Sequence, residues 1–270
     1  MSVAELHKAA EIVRQADAIL VHAGAGMGVD SGLPDFRGDE GFWRAYPPMK
    51  RLGLSFYEMA NPRWFEQDPS LAWGFYGHRL QLYRDTKPHR GFELLRQMAG
   101  ERSLFAVTSN VDGAFAMAGF AAESIYEVHG SIHHLQCSAP CCDVIWQMDK
   151  RCIVVDVNTF RASSELPTCP RCGRVARPNI LMFGDYSWVS ERSDEQHRRW
   201  MRWIANQGQI AVIEIGAGTT VPTLRRMSEE LARRGSKVIR INPRDSEGYD
   251  VSVSLATTGL AGLRAMHHLI

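Results

Sequence analysis

Six cysteines fall within 36 consecutive positions: Cys137, Cys141, Cys142, Cys152, Cys169 and Cys172. Thiolates in closely spaced pairs are the usual ligands of tetrahedral zinc. Cys169-Pro-Arg-Cys172 is a CxxC, and Gly173 follows it to let the chain turn so that both sulfurs reach one ion. Its partner pair is Cys137 with Cys141 or Cys142; the sequence spacing leaves that choice open, and Cys142 is taken as the ligand. About 26 residues separate the pairs, a length suited to a ribbon-like module closed by one metal. Four thiolates fill the tetrahedron and leave no place for water, so this zinc stabilises rather than reacts. Cys152 and the other member of the adjacent pair are read as core thiols. A disulfide framework is the weaker reading for a chain of this size with its own core.

Two glycine-rich turns offer different chemistry. Gly24-Ala25-Gly26-Met27-Gly28 follows the apolar run Ala18–His22, and Gly216-Ala217-Gly218, with Thr219 and Thr220, follows Ile210–Ile215. Backbone N–H groups at such turns can approach a pyrophosphate. The usual dinucleotide fingerprint also carries an acidic residue at the end of the second strand, and none stands at that spacing here. Instead the first turn runs into Ser31-Gly32-Leu33-Pro34-Asp35-Phe36-Arg37-Gly38, a loop long enough to close over a ligand. Asn242, at the end of a later apolar run, suits a ribose hydroxyl. Glu214 stands inside an apolar strand and is read as a strand edge or a satisfied polar site.

These residues need elements to hold them. Short apolar runs alternate with helical stretches, which predicts an α/β fold with a parallel sheet. Strands are expected at Ala18–His22, Leu104–Thr108, Ile125–His129, Ile210–Ile215, Val238–Ile241 and Val251–Leu255. Each is apolar on both faces, as a sheet covered by helices requires, and ligands of such sheets bind at the carboxyl ends of the strands. Residues 38–87, rich in aromatics, and residues 133–179, with the cysteines, read as inserts forming a smaller lobe. Residues 1–37, 88–132 and 180–270 then make a Rossmann-like core. Of the 270 residues 45% are apolar and 23% charged, which excludes disorder as the main state. A net charge of +1 gives no basic field for nucleic acid. No apolar run is long enough to span a membrane. The first 17 residues read as an amphipathic helix without the features of a secretory signal, so a cytoplasmic protein is expected.

Taken in order, these segments resemble the sirtuin family, of bacterial type. The family's GAGxSxxSGIPDFRG run is matched by GAGMGVDSGLPDFRG, Gly24 to Gly38. Its TQN(I/V)D is matched by Thr108-Ser109-Asn110-Val111-Asp112, its HG by His129-Gly130, and its RPxVVxFGE strand by Arg177 to Asp185. The two cysteine pairs follow the histidine as in the family, and GTS followed by Val and Pro is matched by GAGTTVP, Gly216 to Pro222. Three departures from the pattern stand out: Ser109 for Gln, Gly28 for Ser, and Gly216-Ala217-Gly218 for GTS.

The resemblance implies a Rossmann-like domain with a zinc-bearing lobe, and NAD and an acyl-lysine peptide meeting in the cleft between them. It implies that Gly24, Ala25 and Gly26 cradle the pyrophosphate; Gly216, Gly218 and Asn242 are read from their own turns as further cofactor contacts. Asp35, Phe36 and Arg37 lie in the cofactor-closing loop. Ser109, shorter than the family's Gln, faces the ribose. Asn110 and Asp112 line the nicotinamide pocket, and His129 is the general base. Asn179, Ile180, Met182 and Phe183 pair with the substrate peptide as an added strand, a mode that tolerates many sequences. The implied reaction is NAD-dependent lysine deacylation through an alkylimidate, giving nicotinamide and O-acyl-ADP-ribose.

Tyr76 and Arg79 form a Y-x-x-R that shares one helix face and resembles the desuccinylase class, where such a pair binds succinyl or malonyl carboxylates. The alternative is an aromatic stripe packed into the lobe with Arg79 solvated. Two rival functions use the same pocket: ADP-ribosyl transfer or NAD hydrolysis, towards which Ser109 leans, and a non-catalytic NAD or ADP-ribose sensor, against which Asn110, Asp112 and His129 argue.

Overall fold

The computed structural model describes residues 2–35 and 38–270. Among the described residues, nine strands run as β1 Ala18–Ala23, β2 Ser103–Thr108, β3 Ile125–Glu127, β4 Gly130–Cys137, β5 Trp146–Gln147, β6 Ala176–Ile180, β7 Ile210–Ile215, β8 Lys237–Ile241 and β9 Val253–Leu255. The α-helices are α1 Val3–Gln15, α2 Gly26–Val29, α3 Gly38–Ala45, α4 Pro47–Arg51, α5 Phe56–Met59, α6 Trp64–Gln67, α7 Pro69–Asp85, α8 Gly91–Ala99, α9 Ala114–Met117, α10 Glu191–Ala205, α11 Thr223–Arg233 and α12 Gly259–His267.

Six strands form one all-parallel sheet in the order β3-β2-β1-β7-β8-β9. In order of appearance within this sheet that is 3-2-1-4-5-6, the arrangement of dinucleotide-binding sheets, with its switch point between β1 and β7. Alternate residues of each strand serve opposite faces. Ile19, Val21 and Ala23 of β1 join α1, α8 and α12, together with Ile213, Ile215, Ile239 and Ile241. Leu20 instead joins Phe105, Val107, Val212 and Val238 under Trp200 of α10 and Leu224 and Leu231 of α11. The result is three layers, helix on sheet on helix. Fully buried β1 reads as near-continuous apolar sequence, broken only by His22, because both its faces are covered.

A polar row breaks the second face. His22, Glu214, Arg240 and Ser254 stand in register across β1, β7, β8 and β9. Glu214 and Arg240 form a buried ion pair at 2.6 Å, so Glu214 is the satisfied polar site rather than a strand edge. His22 meets Ser228 of α11 at 2.8 Å. Ser228 Oγ spends its own proton on the Leu224 carbonyl, so His22 Nδ1 is the donor.

The smaller lobe has its own core. Phe42, Tyr46, Phe65, Trp73, Phe75 and Tyr76 from the helical stretch pack on Ile132, Leu135, Ala176 and Ile180 of an antiparallel sheet ordered β5-β4-β6. That sheet springs directly from the large one: β3 ends at Glu127, and Val128 and His129 turn the chain into β4. The expected strand through His129 is therefore shorter, and His129 stands in a turn at its end. Gly130, at φ +78°, makes the turn passable, since a Cβ there would lie 2.1 Å from the Asn179 carbonyl of β6.

Candidate active site

The two glycine turns meet at the switch point, β1 leading into one and β7 into the other. A Cβ on Gly24 would lie 2.6 Å from the Gly216 carbonyl, and one on Gly26 would lie 2.6 Å from Gly216 Cα. Gly24 N–H donates to Ile215 and Gly26 N–H to Gly216. These glycines are thus required first by the contact of one loop with the other, and together they form the floor of the crevice. Gly218 differs: nothing lies within 4 Å of a Cβ placed there. Asp35 is half-buried at the edge of the same loop, and Phe36 and Arg37 lie outside the described residues.

The next two strands bring in the polar groups. At the end of β2, Asn110 donates from Nδ2 to the Gly24 carbonyl at 3.0 Å and takes a backbone bond to Thr108 Oγ1. This ties it to the glycine floor. Asp112 is buried and accepts the Ala114 N–H at 2.9 Å, starting α9. Burial raises its carboxyl above the usual range, Glu127 adds to that, and the Ala114 N–H, His133 and Arg79 pull it down. His129 is half-buried; desolvation holds its imidazole below the ordinary histidine value, and the Ser109 backbone acts in the opposite sense. A histidine so placed is neutral near pH 7 and able to accept a proton.

On the lobe side, Tyr76 and Arg79 lie on α7, both buried, with the guanidinium 5.7 Å from the Tyr76 ring. Arg79 donates from Nε and Nη2 to the Tyr83 hydroxyl at 3.1 and 2.6 Å. The rings of Phe75, Tyr83 and Phe56 also lie within 6 Å of it. The solvated Arg79 of the alternative reading does not occur; the helix stripe is in the lobe core and carries the cation with it. Burial pushes the Tyr76 phenol up to about 12.

Four cysteines gather at the far end of the small sheet. Cys137, Cys141, Cys169 and Cys172 have all their sulfurs within 4.8 Å of one another. Cys137 and Cys172 are 3.6 Å apart, as are Cys141 and Cys169. Zinc–thiolate bonds of about 2.3 Å at tetrahedral angles separate sulfurs by about 3.8 Å, so the set fits one zinc. Gly173 N–H returns to the Cys169 carbonyl and Cys169 N–H bonds the Arg174 carbonyl, closing the knuckle. Cys141, not Cys142, completes the cluster. Successive side chains diverge in the turn, and Cys142 is left outside, 3.8 Å from the Cys141 sulfur. Cys152 is exposed beside Gln81 rather than in a core.

The model of the Sir2 family matches residues 24–220. The chain belongs to the Sir2 family. An NAD-dependent protein deacylase of Pyrococcus furiosus is 31% identical over 181 residues, covering 67% of this chain and 66% of that protein. One from Thermococcus kodakarensis is 29% identical over 238 residues, covering 88% and 84%. Among solved structures, a Sir2 homologue in complex with NAD superposes with a TM-score of 0.71 at 23% identity, covering 96% of this chain and 92% of that one. A mutant Sir2 homologue with ADP-ribose gives 0.70 at 24% identity, covering 100% and 96%.

Within this Sir2 chain some expected residues stand beside the glycine turns and others are engaged in the packing of their own segments. Asn110, Asp112 and His129 stand at the carboxyl ends of β2 and β3, beside the glycine floor. Asn242 is fully buried; its Nδ2 donates to the Ala217 carbonyl and its Oδ1 accepts from the Arg244 and Asp245 N–H groups, which ties it to its own turn. Asn179 is likewise buried, its amide given to Gln136 and the Val189 carbonyl. Ile180 and Met182 are in the lobe core. Of the expected peptide edge, Leu181 N–H goes to His129, Phe183 N–H to Ala60 and Met182 N–H to Asp185. A peptide strand would have to use what these leave. Arg177 and Asp185 clamp this segment with a fully buried bidentate pair at 2.8 and 2.9 Å. Sequence reasoning missed Tyr83, one helical turn beyond Arg79; the i, i+4 spacing was the available signal.

Proposed function

We propose that this chain is an NAD-dependent protein lysine deacylase. The observation that carries the reading is the placement of Asn110, Asp112 and His129 at the carboxyl ends of β2 and β3, with Asn110 bonded to the glycine turn at the switch point of a dinucleotide-binding sheet. Relatives named NAD-dependent protein deacylase, matched over most of their length, support it. NAD, consumed as a co-substrate, supplies an electrophilic ribose carbon whose leaving group is nicotinamide. The chain contributes placement and proton transfer. Asp112, buried on a fixed turn, holds the carboxamide, and Asn110, tied to the floor, lines the same pocket. His129 takes the ribose-hydroxyl proton, so that the hydroxyl attacks the carbon of the alkylimidate made with the acyl oxygen; the C–N bond breaks and the lysine amine leaves protonated, and addition of water to the remaining cation gives O-acyl-ADP-ribose. One zinc on Cys137, Cys141, Cys169 and Cys172 holds the lobe's sheet.

The acyl group, in this reading, ends in a carboxylate. Arg79 lies among the rings of Phe56, Phe75, Tyr76 and Tyr83 and donates to the Tyr83 hydroxyl, and the attraction of its charge for the Asp112 carboxyl supports a cation near the nicotinamide pocket. A guanidinium with so little water around it binds a carboxylate more strongly than one in bulk solvent. The test follows nicotinamide release from NAD with no peptide, with an acetyl-lysine peptide and with a succinyl-lysine peptide, beside His129→Ala. Release that needs the succinyl peptide and disappears in the variant supports both parts. Release with acetyl alone removes the carboxylate site and keeps the deacylase. Release without peptide replaces the reading with NAD hydrolysis or ADP-ribosyl transfer.

A further inference from the structure

We infer that His133 is a positioning residue for Asp112, aimed at it by a bulge in β4; the inference rests on the deacylase reading above. Ser131 of β4 pairs with Asn179 of β6, and the next pair is Leu135 with Pro178. Residues 132–134 therefore have no counterpart on β6. Bulges next to active sites re-aim a side chain, and this one is held from the other edge, where Met148 N–H donates to the His133 carbonyl and His134 pairs with Gln147.

The redirected ring reaches the loop between β2 and α9. His133 Nε2 lies 2.9 Å from the Asp112 carbonyl oxygen. A carbonyl only accepts, so Nε2 carries the proton and donates. Beside it, Ile132 N–H donates to the Val111 carbonyl at 3.0 Å. Two successive residues of the bulge thus bond two successive residues of the loop. The loop makes room for the ring: Gly113 is at φ +73°, and a Cβ there would lie 2.7 Å from His133 Cδ2 and 2.9 Å from Nε2. No other side chain fits both the left-handed backbone and the imidazole.

Asp112 therefore has its two ends fixed by different elements. Its carboxylate starts α9 through Ala114 N–H, and its carbonyl is held by the small lobe through His133. The second bond sets the plane of the Asp112–Gly113 peptide, and with it the direction in which the carboxyl points.

The test compares His133→Phe, which fills the ring's space without a donor, with His133→Gln, whose amide nitrogen restores one. With NAD and the acyl-lysine peptide accepted by the wild type, His133→Phe is expected to raise the KM for NAD and the inhibition constant of nicotinamide about tenfold, the order of one hydrogen bond. The KM for peptide and the melting temperature stay near wild type, and His133→Gln recovers most of the loss. Unchanged NAD and nicotinamide constants in His133→Phe overturn the inference. So does a loss that moves peptide KM and melting temperature equally, or one that Gln does not rescue. A wild-type protein that releases no nicotinamide overturns the deacylase reading itself and the inference with it, an outcome distinct from the other three.

Discussion

At the scale of single residues, His129 must be uncharged to take a proton, and its burial makes that easy near neutral pH. Desolvation lowers its pKa below the ordinary histidine value of about 6.5, so activity should be flat through neutrality and fall only at more acid pH. A pH profile of kcat/KM would show the acid limb centred below 6.5, and a limb centred above it would remove His129 as the base. His129→Ala should lower turnover by about 10²–10⁴-fold, the usual worth of a general base, with peptide binding retained. The positions of such residues at the strand ends were legible because their motifs are polar, ordered and adjacent to glycine turns. The role of Asn242 was not. A polar residue at a strand end suits a ligand or its own turn equally well in sequence, and only the packing of Ala217 against it decides.

At the scale of elements, β7 and β8 share the buried pair of Glu214 and Arg240, and Arg240 also donates to the Glu247 carbonyl. Breaking a buried pair leaves one charge stranded, while replacing both partners does not. Glu214→Leu or Arg240→Met alone should cost about 3–5 kcal/mol, and the double variant far less than their sum. Urea unfolding of the three variants measures this; additive losses would mean that the two charges are separately solvated. In the zinc module, Cys141→Ser should lose the metal while Cys142→Ser keeps about one zinc per chain by metal analysis. Equal loss in both would put Cys142 back among the ligands. The parallel strands were readable because their two covered faces produce near-continuous apolar runs, and Ile210–Ile215 matches β7 end to end. The partner of Cys137 was not readable, since adjacent residues differ only in how a turn directs them. The β4 bulge left no mark either, because Ile132-His133-His134 carries no alternation by which a shifted register could be noticed.

At the scale of the whole molecule, the layers bury histidines that the unfolded chain would expose. His22 lies between the sheet and α11 and is held down to about 3 by desolvation. His134, in the small lobe, is held at about 4 by desolvation and the nearby Arg192 and His133 charges. In the unfolded chain each takes up a proton near pH 6.5. Between that value and the lower folded one, the unfolded state binds more protons, so stability rises with pH in this window and is lost as pH falls through it. Each group contributes a slope of at most about 1.4 kcal/mol per pH unit, so from pH 6.5 to 5 one fully shifted histidine removes about 2 kcal/mol. Asp112, whose pKa is raised, works the other way: its share of stability is complete below about 3.8 and is lost as pH climbs through the folded value, so it offsets part of the acid loss. Above pH 6.5 the histidine contributions are complete. Urea unfolding at pH 7.5 and at pH 5 should therefore show the wild type losing several kcal/mol, in the range of about 2–4 for the two sites together. His22→Leu starts from a lower stability, because Ser228 loses its partner, but should lose about 2 kcal/mol less between the two pH values. A wild type equally stable at both would show that His22 takes up its proton inside the folded sheet, which the unpaired, buried Nε2 makes costly.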